Sequence, residues 1–233
     1  MVDQGTRVEW DLADQLAMQP PMNNQGVDPA VLEAWLSARS IARGLPAPIP
    51  DHGGFRVDTK SDVEIARWVF PEASSGFKHL ARSISDPRYL LKVCGTADDL
   101  QSALPSGWKL HAPGYFMQAA FKAPIGHLPL GYTIEVKRTG MVLEARVFTE
   151  AGALAASGYA AETSNVFVYD RIRTEPDHRR RGLGRVLMQT LHDARQNPSA
   201  TELLVATEDG RTLYSALGWT TISPYSTASI VSP

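Results

Sequence analysis

The residue types best suited to chemistry cluster in residues 179–184, which have the sequence RRRGLG. The preceding segment, 166–174, is rich in β-branched and aromatic residues with period-2 alternation, which predicts a β-strand. The following segment places Leu183, Leu187 and Leu191 on one helical face until Pro198 ends the pattern. Glycines let the backbone approach a ligand, and the first N–H groups of a helix are unpaired and attract anions. The spacing therefore predicts a turn that binds a pyrophosphate, with arginines alongside.

The better-known phosphate loops do not fit this turn. Leu187 stands where a dinucleotide-binding fingerprint needs its third glycine, and no Walker lysine motif is present. The remaining pattern is Arg-x-x-Gly-x-Gly. Together with a second segment, residues 213–219 (LYSALGW), it resembles the GNAT family of acetyl-CoA-dependent N-acetyltransferases. Strand, loop, helix, a second strand at 203–207, short helix and Gly-aromatic corner follow in family order over residues 130–225.

Two simpler interpretations apply to parts of this pattern. Three consecutive arginines are commonly a solvated corner, and paired glycines are commonly a turn without a ligand. The family order of the surrounding elements favours the ligand site. A basic run also suits nucleic acid, but 23 Lys+Arg against 25 Asp+Glu give a net charge of -2. No domain-wide basic field exists, so we expect no nucleic-acid partner.

The resemblance implies roles for individual residues. Residues on the predicted strand would line the pantetheine arm of acetyl-CoA: Ile172, Arg173 and Thr174. Residues of the turn would bind the pyrophosphate: Arg179, Arg181, Gly182, Leu183 and Gly184. Arg180 would face solvent or the 3′-phosphate. Tyr214 stands at the family position of the acid that protonates the leaving thiolate, although by itself it also suits a core tyrosine packed beside Leu213 and Leu217.

The general base is left open by the sequence. Five side chains lie near the predicted cofactor mouth and could act directly or through water: Glu162, Asp170, Glu175, His178 and Glu208. Glu208 stands where many members of the family carry an asparagine that helps hold pantetheine, so it is named as a catalytic candidate only.

The resemblance implies an N-acetyltransferase. Acetyl-CoA would be the co-substrate, and the acceptor a primary amine of a small molecule, an amino acid or a peptide that attacks the thioester directly in a ternary complex. The alternative is a noncatalytic acyl-CoA-binding regulatory module that keeps the fold without the activity. Because the donor motif fixes the cofactor and other parts of the cleft fix the substrate, the acceptor cannot be identified from these motifs.

Composition sets further bounds. A chain of 233 residues with 43% hydrophobic content can bury one large core or two modest ones. Cys94 is the only cysteine and lies in an apolar strand-like run, so we expect a core thiol and no disulfide. The six histidines are not spaced like metal ligands, so we expect no metal site.

The sequence does not start like a signal peptide and has no apolar run of membrane-spanning length. We therefore expect a cytoplasmic protein with no membrane partner. The oligomeric state stays open, with a homodimer as one option.

The strand-helix-strand order of the N-terminal half predicts α/β structure. We expect a loosely held arm at 1–27, an N-terminal half at 28–126 and the acetyl-CoA-binding domain at 127–233, because prolines and a glycine interrupt residues 122–129. In the N-terminal half, caps predict helices from Pro29 to a stop at Gly44, after Ser61 up to Pro71, and after Thr96. Strands are expected at 55–57, 89–94 and within 108–119.

Three strands joined by short hairpins are predicted at 132–137, 142–148 and 153–160. In the GNAT pattern a pair of helices usually separates the first two of these strands and covers the acceptor. That pair is missing here, so we expect the N-terminal half to supply this wall. The expected fold is α/β: a GNAT-type mixed, largely antiparallel central sheet flanked by helices, with an N-terminal half that is a candidate degenerate copy of the same unit.

Overall fold

The computed structural model describes residues 26–120 and 126–231. Most of the arm expected at 1–27 and residues 121–125 at the expected domain boundary lie outside the described residues, so both expectations stay predictions. The described chain contains α-helices α1 (Pro29–Arg43), α2 (Ser75–Ser83), α3 (Ala97–Ala103), α4 (Leu183–Asp193) and α5 (Glu208–Ser215). A 3-10 helix covers Pro176–His178.

Twelve strands form a single sheet in the described ranges. They are β1 (Ile49–Asp51), β2 (Gly54–Asp58), β3 (Ala66–Phe70), β4 (Tyr89–Cys94), β5 (Trp108–Leu110), β6 (Gly114–Ala119), β7 (Tyr132–Thr139), β8 (Val142–Thr149), β9 (Leu154–Glu162), β10 (Val166–Thr174), β11 (Thr201–Ala206) and β12 (Trp219–Ile230). Their order is β1-β2-β3-β4-β12-β6-β11-β10-β9-β8-β7, and β5 also pairs with β12. The pairs β3–β4 and β10–β11 are parallel and the other described pairs antiparallel, so the sheet is mixed and largely antiparallel, as expected.

The sheet runs through both halves of the sequence without a break. Strand β6, from the N-terminal half, lies between β11 and β12 of the C-terminal half. The long strand β12 pairs with β6 over its first part and with β4 and β5 over its second. Each half therefore completes the hydrogen bonding of the other.

Helices cover the sheet on both faces. Helix α1 packs its apolar stripe against one face, where Leu32, Trp35 and Leu36 meet Val166 and Val168 of β10. Alternate residues of the same strand, Phe167 and Tyr169, point to the opposite face and pack with α4. Helices α2 and α3 cover that second face over the N-terminal strands.

Most of the local predictions are confirmed. Asp28 caps α1 with its side chain and Gly44 ends it in the left-handed conformation. Thr96 and Asp99 form the expected capping box of α3. Strands β4 and β10 have the predicted bounds, and β7, β8 and β9 agree within two residues.

One predicted helix is wrong. The residues after Ser61 do not form a helix ending at Pro71; residues 66–70 form strand β3, in which all five residues are buried. A strand buried on both faces has no alternating pattern, so the apolar spacing of Ile65, Trp68 and Val69 imitated a helix. Helix α2 was not anticipated, and the segment 108–119 divides into two strands, β5 and β6.

The two halves repeat one order of elements. In the N-terminal half, β2 pairs antiparallel with β3, and β3 pairs parallel with β4 through α2, after which α3 follows. In the C-terminal half, β9 pairs antiparallel with β10, and β10 pairs parallel with β11 through α4, after which α5 follows. This order supports a degenerate internal repeat, which remains a proposal.

Candidate functional site

Strands β10 and β11 diverge in the middle of the sheet. They pair only from Val166 opposite Thr201 to Val168 opposite Leu203, although β10 continues to Thr174 and β11 to Ala206. Beyond that point β10 bonds to β9 and β11 bonds to β6 on their outer sides. The facing edges of the two strands are thus available to a ligand that offers amide groups.

A β-bulge in β10 lies at the point of divergence. The register with β9 shifts between Asp170 and Arg173, and Arg171 has a φ of 53°, a conformation that costs a non-glycine residue about 1 kcal/mol or more. The Arg171 side chain holds it there. Its guanidinium lies 3.9 Å from the centre of the Tyr159 ring and donates a hydrogen bond to the backbone oxygen of Ala42, at the end of α1. The bulge is therefore tied to both halves.

Helix α4 begins without a capping side chain. Its N-cap is Gly182, with a φ of 80° that favours glycine, and no side chain accepts from the first-turn N–H groups. Side chains cap the other four described α-helices: Asp28, Ser74, Thr96 and Thr207. The uncapped N–H groups and the helix dipole leave this end suited to an external anion.

Gly184 leaves space between α4 and α5. A Cβ at this position would lie 3.0 Å from Cδ2 of Leu213 and 4.0 Å from Oγ1 of Thr174. A larger side chain would therefore project toward the end of β10 and α5, where the diverging strands open. This glycine is the second one in the predicted pyrophosphate turn.

The divergence opens a cleft of about 860 Å³ that spans the sheet. Its wall includes Ile172, Arg173, Thr174, Arg179, Arg180, Gly182, Leu183, Gly184, Arg185, Thr207, Asp209, Leu213 and Tyr214 from the C-terminal half. It also includes Trp35, Arg39 and Arg43 from α1, together with Asp170 and Arg171 of the bulge. A ligand of cofactor size fits such a volume.

The structure brings together most of the sequence-predicted residues. Seven of the eight predicted cofactor contacts line the cleft, and Arg181 does not. The Arg181 side chain instead donates to the Tyr132 hydroxyl at 2.9 Å, and that hydroxyl lies 2.9 Å from Nδ1 of His178. Arg180 and Arg185 face the cleft in its place.

Asp170 lies at the centre of an arginine cluster on the α1 side. Arg43 donates two hydrogen bonds to its carboxylate, at 2.6 and 2.8 Å. Arg171 and Arg39 approach the same carboxylate at 3.2 and 3.6 Å. Burial by itself would raise the pKa of Asp170, but the hydrogen bonds from Arg43 and the surrounding positive charges outweigh it and lower that pKa. Asp170 is therefore a bound counter-ion rather than a proton acceptor.

Comparison with protein families identifies the C-terminal part. Residues 140–221 match the family described as "Acetyltransferase (GNAT) domain". This segment belongs to the GNAT family. No curated protein matches the chain. The matched residues contain β8 to β11, the uncapped helix α4 and the cleft-lining part of α5.

Solved GNAT structures share the fold over most of the chain. A GCN5-related N-acetyltransferase from Kribbella flavida aligns with 89% of this chain and 97% of its own, at 13% identity and a TM-score of 0.62. A protein from Novosphingobium aromaticivorans, described as an acetyltransferase from the GNAT family, aligns with 88% and 100%, at 16% identity and a TM-score of 0.58. A tandem GNAT protein from the clavulanic acid biosynthesis pathway aligns with 77% and 79%, at 12% identity and a TM-score of 0.52. These structural alignments show a shared fold.

Tyr214 lies at the α5 wall of the GNAT cleft. It is 7% exposed and its ring packs 6.1 Å from that of Trp219. Burial raises the pKa of Tyr214 well above its ordinary value, so the phenol is protonated at neutral pH. Gly210 provides room for this ring, since a Cβ there would lie 3.2 Å from Cε2 of Tyr214. A protonated tyrosine thus forms part of the wall of this cleft.

The other candidate bases lie outside the cleft-lining residues. Glu162 is bound by Arg138 and by the backbone N–H groups of Gln196 and Asn197, an arrangement that fixes the loop after α4. Glu208 begins α5 with its carboxylate 62% exposed and accepts a hydrogen bond from the Tyr115 hydroxyl. Glu175 lies beside Arg173 at 3.3 Å. Of the five candidates, Asp170 alone is in the described cleft wall.

The N-terminal half was expected to supply a wall of the cleft, but the arginines of α1 that line it were not predicted. Arg39 follows Leu32, Trp35 and Leu36 at helical spacing, so it lies on the stripe that packs against the sheet. An arginine on an apolar stripe is a signal that it has a buried partner or a ligand. That partner, Asp170, is more than one hundred residues away in sequence and could not be identified from spacing.

Within residues 26–120 and 126–231, no group of three or more His, Cys, Asp or Glu side chains is arranged to hold a metal ion. None of the helices in that described part combines the length and the apolar character needed to span a bilayer.

Proposed function

We propose that this protein is an acetyl-CoA-dependent N-acetyltransferase that acts on a primary amine. The observation that carries the proposal is the cleft between β10 and β11, which starts at the uncapped, arginine-flanked end of α4. The GNAT match over residues 140–221 supports acetyl transfer in general. The nature of the acceptor and the roles below are the proposed part.

The donor would bind with its pyrophosphate at α4. Backbone N–H groups at Leu183 and Gly184 would donate to the phosphate oxygens, and Arg179, Arg180 and Arg185 would add charge. The pantetheine arm would then extend along the open edge of β10, past Thr174, Arg173 and Ile172. Arg181, which the sequence assigned to the pyrophosphate, would act indirectly by holding Tyr132 beside the turn.

The transfer would occur where the thioester passes Tyr214. The amine nitrogen forms a bond to the carbonyl carbon, the carbon–sulfur bond breaks, the nitrogen loses one proton and the thiolate gains one. Tyr214 would supply the proton to sulfur and later regain one from water. Burial raises the pKa of Tyr214 and so keeps a proton on it for donation, and a poorly solvated thiolate would be a stronger base for that proton.

Two described carboxylates line the cleft, and one of them, Asp170, is not free to act as a base. Asp170 is engaged by Arg43, and Asp209 sits in the first turn of α5. We therefore propose that the amine binds in its neutral form and releases its proton to water. Glu208 remains a candidate that could act through a water molecule, because it lies on the same short helix as Tyr214.

The experiment has two readouts. Calorimetry measures acetyl-CoA binding, and thiol release measures its consumption over a panel of amines, amino acids and short peptides. We expect binding together with acceptor-dependent thiol release. Binding with no consumption by any acceptor would favour the noncatalytic acyl-CoA-binding module, and absence of binding would refute the proposal.

A further inference from the structure

The cleft has two chemically different ends, one on each face of the sheet. On the α4 face, the uncapped helix end and Arg179, Arg180 and Arg185 suit the donor phosphates. On the α1 face lies the cluster of Arg39, Arg43, Arg171 and Asp170. A donor anchored at α4 that passes between the strands presents its reactive end toward α1, so the acceptor would approach from there.

The α1 end carries an excess of positive charge. Three guanidinium groups surround one carboxylate, which leaves a net charge of +2 in a partly enclosed space. The carboxylate is already satisfied by two hydrogen bonds from Arg43. The charge of Arg39 is consequently the least compensated of the three.

Arg39 has no hydrogen-bonding partner among the described residues. Its closest carboxylate oxygen is 3.6 Å away, beyond hydrogen-bond distance, while its side chain is only 18% exposed and lines the cleft. Its guanidinium lies 5.4 Å from the centre of the Trp35 ring, which fixes its position. A ligand in the cleft that accepts from these guanidinium donors would gain charge-assisted hydrogen bonds.

Trp35 provides an independent indication. It is 1% exposed, lines the cleft, and its Nε1–H has no acceptor within the part of the chain that the structure describes. A ligand group that accepts several hydrogen bonds would satisfy Trp35 and Arg39 together. Carboxylate and phosphate oxygens are such acceptors, and both match the planar guanidinium fork.

We propose that the acceptor amine also carries an anionic group, a carboxylate or a phosphate, which Arg39 and Trp35 bind on the α1 face. This inference rests on the proposed acetyl transfer and specifies its substrate class. Arg43 and Arg171 contribute charge, while Asp170 keeps them in place. Neutral and polycationic amines would be poor acceptors, because they leave Arg39 uncompensated.

Matched amine pairs test the proposal: β-alanine against propylamine, and O-phosphoethanolamine against ethanolamine. We expect the anionic member of at least one pair to have a higher kcat/KM, and the two pairs distinguish carboxylate from phosphate. In Arg39→Gln the anionic acceptor should lose on the order of 10- to 100-fold in kcat/KM, mainly through KM, with the Kd of acetyl-CoA unchanged. Arg39→Lys should recover part of the loss.

Arg56→Gln is the matched control, because Arg56 also lies over a tryptophan ring, at 5.2 Å from that of Trp68, but outside the cleft wall. Equal losses for anionic and neutral amines, or weaker acetyl-CoA binding in Arg39→Gln, would overturn the inference. If no amine is consumed, the proposed function fails separately. The binding of amines is then measured by the thermal shift that each amine produces in CoA-saturated protein. A larger shift for anionic than for neutral amines, which is lost in Arg39→Gln, supports the site. Equal shifts for anionic and neutral amines refute it.

Discussion

The role of Tyr214 can be interpreted only when its surroundings in the fold are known. In sequence it is compatible with a core residue or with an acid. In the fold its ring packs near Trp219 and the residue also lines the cleft, a position that is compatible with both interpretations. Its phenol shares no hydrogen bond with another described residue, and burial raises its pKa. The hydroxyl is thus available to a leaving group.

We expect Tyr214→Phe to lower kcat by about 10²- to 10⁴-fold, because the thiolate would leave without a proton donor, with little change in the Kd of acetyl-CoA. Steady-state kinetics with a single-turnover check of the chemical step measures this. Tyr89→Phe is the control, because the Tyr89 ring packs 5.5 Å from that of Trp68 and lies outside the cleft wall. A wild-type kcat in Tyr214→Phe would contradict the assigned role.

Gly184 gives the second test at this scale. Replacing it with valine adds a branched side chain beside Leu213 and Thr174, so we expect acetyl-CoA affinity to fall by at least about tenfold through loss of close backbone approach. Calorimetry measures the affinity and thermal melting confirms folding. Gly95→Ala, whose added Cβ would make its closest contact at 3.6 Å with Asp99, should bind normally. Undiminished binding by folded Gly184→Val would argue against the pyrophosphate turn.

Local spacing predicted the turn and its flanking elements, but it did not predict which residues of α1 line the other side of the cleft. The turn at 179–184 and its flanking strand and helix are contiguous in sequence, so their chemistry is visible in the order of residues. The pair Arg43–Asp170 is brought together only by the docking of α1 on the sheet, 127 residues apart in sequence. Arg181 was misleading because nothing local indicates that it binds Tyr132.

At the scale of elements, strand β4 contains a lysine in an unusual position. Lys92 is partly buried between β3 and β12, and its ammonium donates to Oγ1 of Thr227 at 3.3 Å. Burial, together with the nearby charge of Arg67, lowers the pKa of Lys92 to about 7. Its charge is therefore disfavoured by folding, whereas in the unfolded chain it persists to high pH.

The pH dependence of stability follows from this difference. Below pH 7 both states hold the proton; between about pH 7 and 10 the unfolded state holds one more, so stability rises with pH by up to about 1.4 kcal/mol per unit. We expect Lys92→Met to remove this rise. Urea unfolding at pH 6 to 10 measures it, with the exposed Lys109→Met as control. A rise that is the same in wild type and Lys92→Met would contradict the prediction.

Capping residues predicted the positions of helices more accurately than apolar spacing did. The predicted caps of α1 and α3 are present because capping is a short-range interaction that the sequence specifies directly. Strand β3 was mistaken for a helix because its burial on both faces comes from neighbours that are distant in sequence. The insertion of β6 between β11 and β12 also joins residues that are distant in sequence, so no local sequence pattern predicts it.

For the whole molecule, the two similar halves differ at the position of the cleft. In the N-terminal half, β3 stays paired with β4 along its full length, from Ala66 to Phe70. The start of α2 is capped by Ser74, and a Cβ at Gly76 would lie 1.9 Å from the backbone oxygen of His52. Neither an open strand edge nor an exposed helix end is left there for a second cofactor.

We therefore expect one acetyl-CoA per chain. Calorimetric titration of protein of known active concentration gives the stoichiometry directly. A second acetyl-CoA per chain, retained in Gly184→Val, would mean that the N-terminal half has a donor site that its strand pairing does not indicate.

The continuous sheet also predicts that the halves depend on each other. Residues 127–233 expressed alone would lack β6, which pairs with β11 and β12, and would lack β4 and β5, which pair with the end of β12. Long unpaired strand edges favour aggregation, and the cleft would lose Trp35, Arg39 and Arg43. We expect this fragment to be insoluble or unfolded by circular dichroism.

Co-expression with residues 1–126 is the control, because it restores every one of these pairings without a covalent link. Recovery of a soluble complex that consumes acetyl-CoA would show that the fragment was insoluble or unfolded because it lacked its partner strands, and not because the chain was divided. A fragment that is folded alone and acetylates the same acceptor with unchanged kcat/KM would instead establish two independent units, and would remove α1 from the acceptor site.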